Sequence, residues 1–322
     1  MKLRKLFNKP EFIGWLKHTY NLDFKRLRFD FLVIGSPERS LSRLIIENKN
    51  NELYLLEQFT KSQYPLKTNI AKTLDFLCLN KQKNILTYIK TNNNEHLSLY
   101  DKYCFQLSHF VKGTRLKRPQ YLLDSVMGEN LADFLIRLSK TSKDINKSIT
   151  YPKFSLKKYI IQIKKDMEKH DPDCHKKYLP FFNFLSQNFM DIHDDFALSF
   201  VHGDFHPLNV VWQESDIKIV IDWEFTGMKP DIYDAANLIG CAGIENPEGL
   251  GMKMVMSFIK ALRKSGIVHD KSWENFPEYM LALRFAWLSE WLRKRDFEMI
   301  QLEAKYMKII MENTKELKSI WC

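Results

Sequence analysis

The chain has 322 residues, 45% of them hydrophobic and 27% charged, which excludes a disordered polypeptide and suffices for two lobes. Its net charge is +10, but the Lys and Arg residues are spread along the chain, as on a solvated basic surface. No run approaches the ~18 apolar residues of a membrane span.

The opening "MKLRKLF" has the charges that begin a signal peptide, but "NKPEF" follows in place of an apolar core. "RFDFLVIG" (28–35) reads as a strand. "SRLIIENKNNELYLLEQF" (42–59) reads as two β-rich runs split by a turn signal, a hairpin. "TNIAKTLDFLCLN" (68–80) carries Ile70, Leu74, Leu77 and Cys78 at helical spacing. "KTNNNEH" (90–96) reads as a loop or hairpin tip, and strands are expected near 85–90 and over 103–111. Beyond Gly113 the pattern turns helical, at 128–140, 179–196 and, as one or two long helices, 277–317. The exception is 198–222, where three short β runs are set inside the helical region. These patterns predict an α+β chain with a small antiparallel-sheet lobe over 1–111 and a larger, mainly helical lobe over 112–322.

Five cysteines, Cys78, Cys104, Cys174, Cys241 and Cys322, lie far apart and form no Cys-x-x-Cys, as expected of reduced thiols in a cytoplasmic protein. "HDPDCHKKY" (170–178) gathers potential metal ligands, but its spacing matches no zinc pattern, and Pro172 is read there as marking a loop.

The chemistry concentrates in "FVHGDFHPLNVVW" (200–212) and the "IDWE" that begins at Ile221. Asp204 and Asn209 lie on one loop. The runs "NVVW" and "IKIVID", joined by the turn "QESD", form an expected hairpin that carries Asp222 back beside that loop. A carboxylate, a carboxamide and a second carboxylate at strand ends are oxygen donors suited to Mg²⁺, which takes one or two carboxylates together with substrate phosphates. A further carboxylate is what phosphoryl transfer needs to orient an attacking hydroxyl.

The spacing resembles the catalytic loop of protein kinases, where Asn follows the catalytic Asp by five positions and a metal-binding Asp lies beyond a hairpin. With "HGD", "HPLN", "IDWE" and the downstream "GMKPDIYDAANLI" (227–239), the chain resembles the aminoglycoside phosphotransferase and choline kinase families. The resemblance is close over 198–240 and loose elsewhere. It implies a bilobal protein-kinase-like fold and ATP- and Mg²⁺-dependent transfer of the γ-phosphoryl group to a hydroxyl of a small molecule. Carried over residue by residue, it makes Asp204 the catalytic base and Asn209 and Asp222 the Mg²⁺ ligands. His202 and Asp234 brace the loop, and Glu224 reaches a second metal or a substrate amine. His206, followed by Pro207, is read as packing in the loop.

The first lobe departs from the kinase pattern, which places a Lys on the third strand and pairs it with a helix Glu. "LYLLEQF" (53–59) offers Glu57 and Gln58 instead. Three accounts stay open: a reversed pair of Glu57 with Lys67 or Lys72, a phosphate contact from Gln58 or Lys61, or weak nucleotide binding in a pseudoenzyme. "IGSPERS" (34–40) stands where a glycine-rich loop belongs, so Gly35 and Ser36 are the expected phosphate cradle, with Arg39 adding charge. "SHFVKG" (108–113) is placed like the connector between lobes, where the backbone of Phe110 and Val111 would meet the adenine edge. For the acceptor, Trp287 and Trp291 lie four apart on one helix face beside Glu290, an aromatic and acidic pairing suited to an amine. The expected partners are thus ATP, Mg²⁺ and a small amine, amino sugar, sugar or amino alcohol, with no nucleic acid and no membrane. A pseudokinase scaffold and a protein kinase are the alternatives.

Overall fold

The turn "NKNN" needs one residue with left-handed backbone, and Asn51 supplies it at φ 66°, a conformation that Asn tolerates better than most residues. The computed structural model describes residues 3–33 and 39–321. It divides into two units. The first comprises Met1–Leu116, Thr141–Thr150 and Leu208–Phe225, and the second Lys117–Lys140, Tyr151–Pro207 and Thr226–Cys322. The hairpin bearing Asn209 and Asp222, placed by sequence in the helical lobe, is part of the first unit.

Helix α1 (Pro10–Tyr20) begins the first unit. An antiparallel sheet follows, of β1 (Phe24–Arg28), β2 (Ser42–Asn48), β3 (Leu53–Thr60), β4 (Ser98–Tyr100) and β5 (Tyr103–His109), in the order β1-β2-β3-β5-β4. Helix α2 (Tyr64–Leu79) is inserted after β3, starting on Pro65, whose missing N–H costs nothing in a first turn. Residues alternate across β3. Tyr54 and Leu56 pack with Phe12, Leu16, Phe105 and Leu107 into the core under α1. The odd-numbered Leu55, Glu57 and Phe59 face the other way. Two strand expectations are corrected. The first strand is Phe24–Arg28, with 29–33 outside any strand, and 85–90 is an extended segment tied to β5 through the Ile89 N–H and Leu107 carbonyl (2.7 Å).

The second unit is mainly helical. It holds α3 (Ser125–Thr141, its last residue counted in the first unit), α5 (Leu156–His170) and α6 (Pro172–Asn188). Further along come α7 (Tyr233–Glu245), α8 (Lys253–Ser265), α9 (Asp270–Glu274), α10 (Phe276–Lys294), α11 (Phe297–Glu312) and α12 (Thr314–Trp321). The short α4 (Ile145–Ser148) belongs to the first unit. The expected one or two C-terminal helices are three. Pro172 is not in a loop: it occupies the first turn of α6, capped by Asp171, whose carboxylate accepts from the Cys174 N–H (3.0 Å). Among the described residues, no cluster of His, Cys, Asp or Glu is built to hold a metal ion, and no helix is long and apolar enough to cross a membrane. The four described cysteines are free thiols. Two strand pairs complete the chain. β6 (Leu198–Val201) pairs with β9 (Gly227–Pro230) in the second unit, and β7 (Val210–Gln213) with β8 (Asp216–Val220) in the first.

Candidate active site

In the second unit, strand β6 delivers the chain to His202, Gly203 and Asp204. Gly203 adopts φ 83°, open to glycine without strain, and this turns the chain sharply. The buried Asp234, at the start of α7, accepts from both amides of that turn, His202 N–H (2.7 Å) and Gly203 N–H (2.8 Å). Burial pushes the Asp234 carboxyl up to about 6, against the pull of those amides and of Lys229. The fully buried His202 ring accepts from the Asp204 N–H through Nδ1 (3.2 Å). His202 and Asp234 thus both hold the backbone that carries Asp204. Phe205 locks the following residue, stacked on Phe134 at 5.4 Å, with its carbonyl bound by Asn237 Nδ2 (3.2 Å).

The Asp204 side chain keeps a small opening, and His206 Nε2 stands 3.6 Å from its Oδ1. The His206 ring lies 6.0 Å from that of Trp287, which stacks at 6.0 Å with Trp291. Trp287 Nε1 donates to Asn237 Oδ1 (3.1 Å), and Trp291 Nε1 to Glu303 Oε1 (3.2 Å). The aromatic pair therefore continues from Asp204 through His206. The acids around it are already paired. Glu303 binds Arg284, and Glu290 is held down to about 2 by Arg293 and Lys294. Lys229 on β9, which sequence reasoning passed over, lies 4.3 Å from the Tyr233 ring. Desolvation lowers its ammonium to about 8, opposed by Asp234 and Asp204.

In the first unit, Asn209 and Asp222 stand at the open end of the β7–β8 hairpin, joined through Ile221 N–H to the Asn209 carbonyl (2.9 Å). Asp222 has φ 63°, an uncommon conformation for a non-glycine residue. Carboxylate and carboxamide oxygens at one hairpin mouth fit a hard divalent cation.

A cavity of about 90 Å³ adjoins this hairpin, walled by Leu55, Leu86, Val211 and Ile219 and carrying Arg43, Glu57 and Asp222 as its charged groups. Phe110 and Val111 line it as well. Lys67, on the first turns of α2 and 2% exposed, forms an ion pair with Glu224 and sits 4.2 Å from the Phe59 ring.

The profile of the phosphotransferase enzyme family matches residues 69–262. The chain belongs to this family. A search of curated protein sequences finds no match. Solved structures agree on the fold. An amicoumacin kinase in complex with AMP-PNP, Ca²⁺ and Ami is 12% identical, with a TM-score of 0.66, covering 97% of this chain and 96% of that one. A spectinomycin phosphotransferase in complex with ADP and spectinomycin is 16% identical, with a TM-score of 0.59 and coverage of 96% and 98%. The GDP complex of aminoglycoside 2'-phosphotransferase-IIIa is 15% identical, with a TM-score of 0.63 and coverage of 95% and 99%. The architecture is thus the protein-kinase-like one, an antiparallel-sheet lobe and a larger helical lobe.

Against this phosphotransferase frame, the expected residues separate by placement. Asp204, His202, Asp234, Trp287 and Trp291 belong to the second unit, and Asn209, Asp222, Phe110, Val111 and Glu224 to the first. Gln58 shares the sheet face of Tyr54 and Leu56, opposite Leu55 and Glu57, which line the cavity. Glu224, expected at a metal or substrate amine, is instead paired with Lys67. Of the cationic alternatives for Glu57, Lys67 is paired with Glu224. Gly35 and Ser36 lie outside the described residues. Arg43 was missed, although in "SRLIIEN" it alternates onto the same side as Ile45 and pairs in register with Glu57.

Proposed function

We propose that the protein is a small-molecule kinase that transfers the γ-phosphoryl group of ATP to an acceptor hydroxyl with Mg²⁺. The observation that carries this reading is the turn at 202–204. Asp234 takes both of its amides and His202 the third, so Asp204 is held in place by three hydrogen bonds that no packing requirement explains. A carboxylate fixed in that way is suited to orienting a hydroxyl and accepting its proton. Asn209 and Asp222 would hold Mg²⁺, which supplies charge neutralisation at the nucleotide phosphates. The adenine would occupy the apolar cavity. The Phe110 N–H is bound to the Leu53 carbonyl (2.8 Å), so the adenine edge would be read by the Phe110 carbonyl and the Val111 amide. The nucleotides in the related structures, AMP-PNP, ADP and GDP, support a nucleotide at this fold's cavity.

For the acceptor, the Trp287–Trp291 pair beside His206 offers a platform for a flat or cationic group such as an amine or amino sugar. The test is an ADP-release assay over hydroxylated amines, amino sugars, sugars and amino alcohols. At least one acceptor should stimulate ADP formation, and Asp204→Ala should abolish it in a folded protein. A single observation favours a second reading: Glu57 occupies the strand where kinases carry a Lys, as in a pseudokinase scaffold. No thermal shift with ATP and Mg²⁺, and no ADP with any acceptor, would establish that reading instead.

A further inference from the structure

The acidic residue at the kinase lysine position leaves open which cation meets the nucleotide phosphates. Four cations of the first unit come into question, among them Arg39, which lies over the Phe225 ring at 4.4 Å and is not part of the cavity lining. Lys61 starts the 3-10 turn after β3 and is exposed. Lys67 is buried, its ammonium taken by Glu224 and covered by the Phe59 ring. A cation so enclosed has already exchanged water for a carboxylate and an aromatic face, and it does not line the cavity. Arg43 does line the cavity, together with Asp222, and is only half-buried. It stands on β2 directly across from Glu57 on β3, by a register unbroken from Ser42 to Glu47. Residues opposite each other on an antiparallel pair carry side chains on one face about 5 Å apart. The charge expected on β3 is thus present one strand over, at the same level of the sheet.

The remaining charges explain how the arrangement is held. Lys67 acts on Glu57 more strongly than Arg43 does. Lys67 also binds Glu224, two residues beyond Asp222. One buried ammonium therefore ties β3 and the segment after β8 to α2.

We propose that Arg43 is the cation that contacts the nucleotide phosphates in this protein. Guanidinium suits the task, because its planar fork pairs bidentately with phosphate oxygens. The inference rests on the nucleotide reading above.

The assignment is tested by calorimetric titration with Mg²⁺–ATP and with adenosine, which shares the base and ribose but lacks phosphate. In Arg43→Gln, ATP affinity should fall about tenfold to a hundredfold while adenosine affinity stays within about twofold. A structural role for Arg43 would weaken both ligands alike. The wild-type protein supplies a measurement independent of any variant's folding: phenylglyoxal modification of Arg43, followed by mass spectrometry, should be blocked by ATP and not by adenosine. If wild type binds ATP but Arg43→Gln retains its affinity, or if ATP leaves Arg43 as reactive as adenosine does, the assignment of Arg43 is overturned and the kinase reading stands. If wild type binds neither ligand, the nucleotide reading itself fails.

Discussion

Replacing Glu57 with Gln should flatten one part of the protein's pH–stability curve. Glu57 lines the cavity, and burial pushes its carboxyl up to about 7. Lys67 opposes that rise, as Arg43 does more weakly, while Glu224 and Asp222 add to it. Tyr88 lines the same cavity with a phenol that stays neutral. A carboxyl whose folded value lies above its unfolded value of 4.5 binds more protons in the folded state between those limits, so stability falls as pH rises through that window. At about 1.4 kcal/mol per unit, the rise amounts to about 3 kcal/mol, reduced to about 2–3 kcal/mol because the cavity admits water. Gln has nearly the shape of the protonated acid and no charge to bury. Equilibrium urea unfolding of both proteins, in steps from about pH 4.5 to 8, gives the difference directly and cancels other titrating groups such as Asp234. The variant should match wild type at the acid end and exceed it by about 2–3 kcal/mol at the alkaline end. Parallel curves would mean that Lys67 fully compensates an ionised Glu57, and the reasoning would be refuted.

Other perturbations test other parts of the structure. Asp204→Ala and Asp222→Ala should each lower turnover by about a thousandfold or more with melting temperature little changed, measured by ADP release and thermal denaturation. Arg284→Met should destabilise the protein by about 3–5 kcal/mol in urea unfolding, since it strands the fully buried Glu303. Adding Glu303→Leu should recover most of that loss. Trp287→Ala should raise KM for the acceptor about tenfold and leave KM for ATP unchanged, because its ring adjoins His206 while the cavity belongs to the other unit.

Local chemistry was legible in the sequence wherever the chain itself enforces proximity. Asp204, Asn209 and Asp222 are tied by one loop and one hairpin, so spacing singled them out as candidates and the resemblance assigned their roles. His202 and Asp234 were expected as braces from the resemblance, and both hydrogen-bond the turn that carries Asp204. Helices with regular apolar spacing were legible for the same reason: α2 and α3 bury their own stripes. The segment at 85–90 failed because "ILTYIK" has strand composition but no ladder. It touches β5 through one backbone bond and otherwise lines the cavity with Leu86 and Tyr88. Composition reports what a segment tolerates, whereas pairing depends on a neighbour that lies elsewhere in the chain.

The charge swap of the first lobe shows the same limit from the other side. Reading Glu57 and Gln58 as adjacent candidates ignored that neighbours on a strand point to opposite faces, and only the burial of Tyr54 and Leu56 under α1 decides which face is which. Once Glu57 is fixed on the cavity side, its partners are set by tertiary contacts with separations of 10 residues to Lys67 and 14 to Arg43. No motif spans those gaps. Where the kinase pattern places a lysine, β3 carries Glu57, and a cation, Arg43, lines the same cavity one strand over. Which residues share charge across this cavity is therefore set by the register of β2 and β3 rather than by any local motif.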